Sequence, residues 1–169
     1  PGLGVLAARE TIALTSSKQG GTGSSRALAE HPTEWPAAFE AGTPNTPAIL
    51  GLGAALQWCA RPEFAEGLER VRNQVATLAQ TLTEDARYRV LPAASCEPPP
   101  MLSFTRADLD PAEIGAILAS QDIHVRTGHH CAPWLHEHLG TEATGTVRIS
   151  PGPEVSASDI LRVSEALAD

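Results

Sequence analysis

Arg126-Thr127-Gly128-His129-His130-Cys131-Ala132-Pro133 sets a thiol beside two imidazoles and a glycine, directly after a short apolar run. These side chains carry proton, sulfur and metal chemistry near neutral pH. Ile123 to Val125 reads as a strand entering the loop. Pro133 to Leu139 reads as a short helix with Gly140 ending it. Upstream, Asp110-Pro111-Ala112-Glu113 is a capping box opening a helix through Ile114, Ile117 and Leu118. Tyr88–Leu91 and Met101–Thr105 have the look of strands. Downstream, Thr146–Ser150 is a further strand and Ser156–Ala168 an amphipathic helix. The order strand-strand-helix-strand-strand-helix implies an α+β unit, with helices layered on one sheet face.

Before this unit the pattern changes. Phe64, Leu68, Val71, Val75, Leu78 and Leu82 form one apolar stripe at helical spacing. Arg61-Pro62 separates that helix from another beginning at Thr46-Pro47, with Thr46 as its expected cap. The small residues Gly51, Gly53, Ala54 and Ala55 imply close packing of this earlier helix. Leu3–Ala7 and Thr11–Leu14 read as short strands, and residues 15–46 as irregular. A composition shift near Arg61 divides the chain into 1–61 and 62–169.

The 169 residues carry a net charge of -8, which argues against non-specific nucleic-acid binding. No apolar run is long enough to span a bilayer, and the expected location is the cytoplasm. Three widely spaced cysteines, Cys59, Cys96 and Cys131, make a poor disulfide framework and suit a reducing compartment. Cys59 lies in an apolar helix and is expected to pack. Cys96 sits in a proline-rich loop.

Two readings compete at Cys131. A free cysteine is often a small core hydrophobe. In a polar glycine loop, beside imidazoles and ahead of a helix start, it is instead a candidate nucleophile. His129, His130, Cys131, His136 and His138 also offer ligands for a metal, although their spacing fits no paired-ligand pattern. Arg126 and Arg148 each follow an apolar run. They are exposed surface arginines or a clamp for a carboxylate or phosphate. Gly42-Thr43-Pro44-Asn45 precedes a helix start, where backbone amides can hold an anion, or it is an ordinary turn. Gln19-Gly20-Gly21-Thr22-Gly23-Ser24 has the flexibility to approach a phosphate.

Taken together, Glu40–Pro47 with Gly51–Leu56, and Val125–Pro133 with Gly145–Ser150, resemble the cysteine desulfurase branch of the class V aminotransferases. The resemblance implies an α/β fold, that of the fold-type I pyridoxal 5'-phosphate enzymes. Residues 1–61 would be the remnant of the large domain with its linker helix, and 62–169 the small α+β domain. It implies a homodimer acting on L-cysteine and passing sulfur to an acceptor protein. Cys131 would hold the persulfide and His130 would assist proton movement. Arg148 and Arg126 would bind the substrate, and Gly42 and Thr43 would reach the cofactor phosphate. Selenocysteine lysis and transamination are related alternatives. The family's cofactor lysine precedes a glycine-rich turn like Pro1-Gly2-Leu3-Gly4, so it would fall upstream of Pro1. The only lysine, Lys18, does not match. The chain is thus expected to be the C-terminal part of such an enzyme, inactive alone. Gly152-Pro153-Glu154-Val155 departs from the aromatic and asparagine that the family often carries there.

Overall fold

The computed structural model describes residues 2–23, 29–91 and 99–168. The described residues divide into two compact units, Pro1–Cys59 and Ala60–Asp169.

In the first unit, a 3-10 turn at Ala37–Phe39 precedes helix α1, Thr46–Cys59. Residues 3–7 and 11–14 are not strands. A strand exists only through pairing, and the bond found here is a turn, Ile12 N to Arg9 O at 2.9 Å. The cap of α1 is also one residue earlier than expected. Asn45 Oδ1 accepts from Ala48 N at 3.2 Å, and Thr46 is already helical. No residue of α1 is buried, and Gly51 and Gly53 face open space where a side chain would project. The expected close packing of its small residues is therefore absent within this unit. Cys59, for the same reason, is exposed rather than packed. Cys96 lies outside the described residues.

The second unit holds α2 (Pro62–Glu84), β1 (Tyr88–Val90), β2 (Leu102–Arg106), α3 (Pro111–Ser120), β3 (Arg126–Gly128), α4 (Pro133–Leu139), β4 (Thr146–Ile149) and α5 (Ala157–Ala168). Pro62 and Pro111 each start a helix, where a missing N–H costs nothing. The capping box forms, with Asp110 N donating to Glu113 Oε2 at 2.8 Å. Gly140, at φ 66°, ends α4.

The four strands form one antiparallel sheet in the order β1-β2-β4-β3. Side chains alternate between faces along each strand. Leu102 pairs with Ile149 and Phe104 with Val147, and all four are buried. They share one core with Val71, Val75, Leu78 and Leu82 of α2, Ile114 and Leu118 of α3, and Ile160, Val163 and Leu167 of α5. α3 packs closely on β3 at Gly115, where a Cβ would lie 2.7 Å from Thr127 Cγ2. The alternate positions Ser103, Arg126, Gly128, Thr146 and Arg148 fall on the opposite face.

The third strand begins later than the apolar run suggested. The register pairs Arg126 with Arg148 and goes no further. β4 ends at Ile149, so the residues before Val125 have no strand opposite them. Ile123 and Val125 pack beside the core instead. Arg126 therefore opens a strand and Arg148 lies inside one. Neither ends one.

Candidate active site

The site face of the sheet brings Arg126, Arg148, Thr146 and the Cys131 loop together. Arg126 and Arg148 are direct cross-strand partners. Like charges placed opposite each other are unfavourable in the absence of an anion to share. Arg148 Nε is buried and without a hydrogen-bond partner. The pair is thus suited to a carboxylate or a phosphate, which guanidinium groups bind through parallel hydrogen bonds.

The loop leaves β3 at Gly128, whose φ is 96°. His130 and Cys131 follow at φ 51° and 62°. Two successive non-glycine residues in the left-handed region store strain, at about 1–3 kcal/mol each. Cys131 is exposed, and Arg126 Nη2 donates to its sulfur at 3.6 Å. The core reading of this thiol is thereby set aside. The thiol and one guanidinium share a solvent-facing surface.

His130 is half-buried over β4, with Nε2 3.0 Å from Thr146 Oγ1. Its Nδ1 is buried without a partner. Burial, followed by the electrostatic influence of Arg148, His136 and Arg126, holds this imidazole below its ordinary value of 6.5. The ring is consequently neutral at pH 7, with a nitrogen able to accept a proton.

The histidines do not converge on a metal. His129 Nε2 donates to Glu142 O at 2.8 Å, and His136 Nδ1 bonds Thr141 Oγ1 at 2.8 Å. Among the described residues, no three His, Cys, Asp or Glu side chains are placed to hold an ion. The nitrogens point at separate oxygen atoms of the segment Thr141–Thr146.

Gly145 is a site residue whose individual role the sequence reading passed over. Its φ is 78°, and a Cβ there would overlap the carbonyl of Gly128. The start of the loop and the start of β4 can approach this closely only with glycine at 145. The signal available in the sequence was glycine at both Gly128 and Gly145, flanking the cysteine loop on either side.

In the first unit, Gly42 has φ 107° and donates its N–H to Gly21 O. A Cβ on Gly23 would lie 3.1 Å from Pro44 Cδ and 3.3 Å from Thr43 Cα. His31 fixes the same glycine loop, with Nδ1 3.1 Å from Gly20 O and Nε2 3.0 Å from Ala38 O. The two segments singled out as phosphate-facing therefore pack on each other. Gly42 and Thr43 are exposed. Lys18 is exposed too, and its carbonyl accepts from Ser16 Oγ.

The profile of the class V aminotransferases, "Aminotransferase class-V", matches residues 1–163. The chain belongs to this family. It is 35% identical over 123 residues to the cysteine desulfurase CsdA of Escherichia coli K12, covering 72% of this chain and 29% of that one. Among solved structures it resembles E. coli CsdA in an S-sulfonic acid form, with a TM-score of 0.77 and 28% identity. That match covers 91% of this chain and 38% of the other. It also resembles the apo cysteine desulfurase of Thermococcus onnurineus NA1, with a TM-score of 0.75 and 31% identity, over 89% and 37% respectively. The chain spans about a third of the length of the curated relatives it matches. Among the described residues, no helix is long and apolar enough to cross a membrane.

Proposed function

We propose that this chain is the C-terminal part of a cysteine desulfurase-like enzyme, with Cys131 as the sulfur-accepting thiol. The carrying observation is the exposed sulfur held 3.6 Å from Arg126, on the sheet face where Arg126 and Arg148 are paired. The overall change is L-cysteine plus the Cys131 thiol giving L-alanine plus a Cys131 persulfide. A sulfur–sulfur bond forms as the substrate's carbon–sulfur bond breaks. The electron pair of that bond stays on carbon, which takes up a proton.

Each residue has a part that its geometry supports. Cys131 attacks the substrate sulfur as a thiolate. Arg126 stabilises the negative charge on sulfur during transfer. Arg148, with its unpartnered Nε, orients the substrate carboxylate. His130, neutral at pH 7, accepts or relays a proton.

Pyridoxal phosphate, when bound, supplies the electron sink that makes the substrate's α-carbon acidic. The Gly42–Thr43 turn fits an anionic phosphate, offering an exposed hydroxyl beside a backbone in the left-handed region. On this reading the first unit is the remnant of the large domain, and the remaining cofactor contacts, including the lysine, belong to the rest of the enzyme. The working enzyme is a homodimer in the cytoplasm that delivers sulfur to an acceptor protein. The sparse, widely spaced set Cys59, Cys96 and Cys131 supports a reducing compartment.

The test uses the complete enzyme with pyridoxal phosphate and L-cysteine, comparing the parent with Cys131→Ser. Alanine and sulfide release should fall at least about a hundredfold, the loss expected when a covalent nucleophile is removed. Undiminished release by the variant would end the assignment. The 169-residue chain alone should show no visible absorbance after incubation with pyridoxal phosphate and gel filtration.

A further inference from the structure

Among the described residues, His136 is the one buried histidine, at 3% exposure. An imidazole so placed is costly unless its nitrogens are satisfied. Its Nδ1 is 2.8 Å from Thr141 Oγ1, and Thr141 is itself buried. Its ring meets that of His129 edge-on, with centroids 5.1 Å apart, and that of His130 at 5.8 Å. All three imidazoles then reach across to one short segment. His136 bonds Thr141, His129 bonds the Glu142 carbonyl and His130 bonds Thr146.

The loop needs such a support. It contains two left-handed non-glycine residues in succession, and a conformation of that kind persists only where its surroundings over-determine it. The helix that follows cannot do this alone. It is seven residues long, and its N-cap, Ala132, makes no side-chain hydrogen bond. Its far end is tied down, because Arg89 Nη2 donates to Leu139 O at 2.7 Å. Between that anchor and the thiol lies His136.

We propose that His136, fixed by Thr141, is a positioning residue that holds the His129–Cys131 peptide in the shape that keeps the thiol against Arg126. It touches neither substrate nor sulfur and acts through the rings of His129 and His130. The proposal rests on the assignment of Cys131 as the reactive thiol, and its test needs no amino-acid substrate.

The experiment is alkylation of the chain by iodoacetamide at pH 7, with Cys131 and the exposed Cys59 followed as separate peptides by mass spectrometry. Thr141→Val removes the hydroxyl and keeps the shape, and Thr141→Ser keeps the hydroxyl. The Cys131-to-Cys59 rate ratio should fall about fivefold in Thr141→Val and His136→Phe, in line with loss of a cation beside the sulfur. It should stay within about twofold of the parent in Thr141→Ser. Arg126→Gln should lower the ratio by itself, and Thr141→Val added to it should lower it no further. A ratio unchanged in Thr141→Val would overturn the proposal, even if His136→Phe failed to fold. Full additivity with Arg126→Gln would also overturn it, because the hydroxyl would then act by another route. Alanine release by the complete enzyme judges the desulfurase reading separately.

Discussion

The two faces of one four-stranded sheet are built on opposite plans. One face presents Leu102, Phe104, Val147 and Ile149 to three helices and is sealed from water. The other presents Arg126, Thr146 and Arg148 to a seven-residue helix and a strained loop. Because the strand period is two, these sets interleave within single strands: Val147 and Ile149 flank Arg148. Stability is concentrated on the first face through apolar burial. The second face keeps like charges adjacent, buried polar atoms unpaired and residues in the left-handed region. A rigid core permits this, since the cost of the site is offset by burial a few ångströms away.

The most severe test of this division is Phe104→Ala. Phe104 is fully buried and pairs with Val147. Its truncation should cost about 3–5 kcal/mol in urea denaturation. A loss under about 1 kcal/mol would mean that the apolar face does not dominate stability. Gly145→Ala comes next and probes the join between the faces. The positive φ alone should cost about 1–3 kcal/mol, and the new Cβ would also overlap the Gly128 carbonyl. Unlike Phe104→Ala, it should also disturb the Cys131 loop, read as a changed alkylation rate at Cys131. Gly128 and Gly145 face each other there, so an unchanged rate would separate the β4 entry from the loop.

The apolar face was largely legible in the sequence, and the site face only in its parts. The stripe on α2, the capping box of α3, and the Pro133 to Gly140 limits of α4 each follow from local rules. Local rules failed where pairing decides. Residues 3–7 and 11–14 have strand-like composition and form no ladder. Ile123–Val125 lost its place to Arg126–Gly128 because the partner strand β4 is short and ends at Ile149. The register between β3 and β4 is what makes Arg126 and Arg148 neighbours, and no single segment encodes it. The histidines show the limit most plainly. Their density suggested ligands. Their nitrogens instead find Thr141, Glu142 and Thr146, which the sequence places after the intervening helix.

Arg148→Gln sharpens the comparison by separating function from stability. In the complete enzyme, loss of a charged hydrogen-bonding partner worth about 1.5–3 kcal/mol should raise KM for L-cysteine about ten- to hundredfold. Stability should hold or rise slightly, because the repulsion across Arg126 and Arg148 is relieved. A large loss of stability with unchanged KM would place Arg148 among the structural residues.

The smallest effect is expected from pH, and its sign follows from His130. Burial first, then the electrostatic influence of Arg148, His136 and Arg126, hold its folded-state value below 6.5. Well above pH 6.5 the ring is neutral in both folded and unfolded chains, and it adds no pH dependence. As pH falls through 6.5, the unfolded chain takes up a proton that the folded chain refuses, so folding becomes less favourable. The decline continues until the folded ring is itself protonated. Urea denaturation at a series of pH values, for the parent and for His130→Asn, isolates this contribution as a difference. The difference should be flat well above pH 6.5, and the parent should lose stability relative to the variant as pH falls through that value. A parent that instead gains stability on acidification would show that the folded loop favours the imidazolium. The cationic character assigned to the site face would then be wrong at its centre.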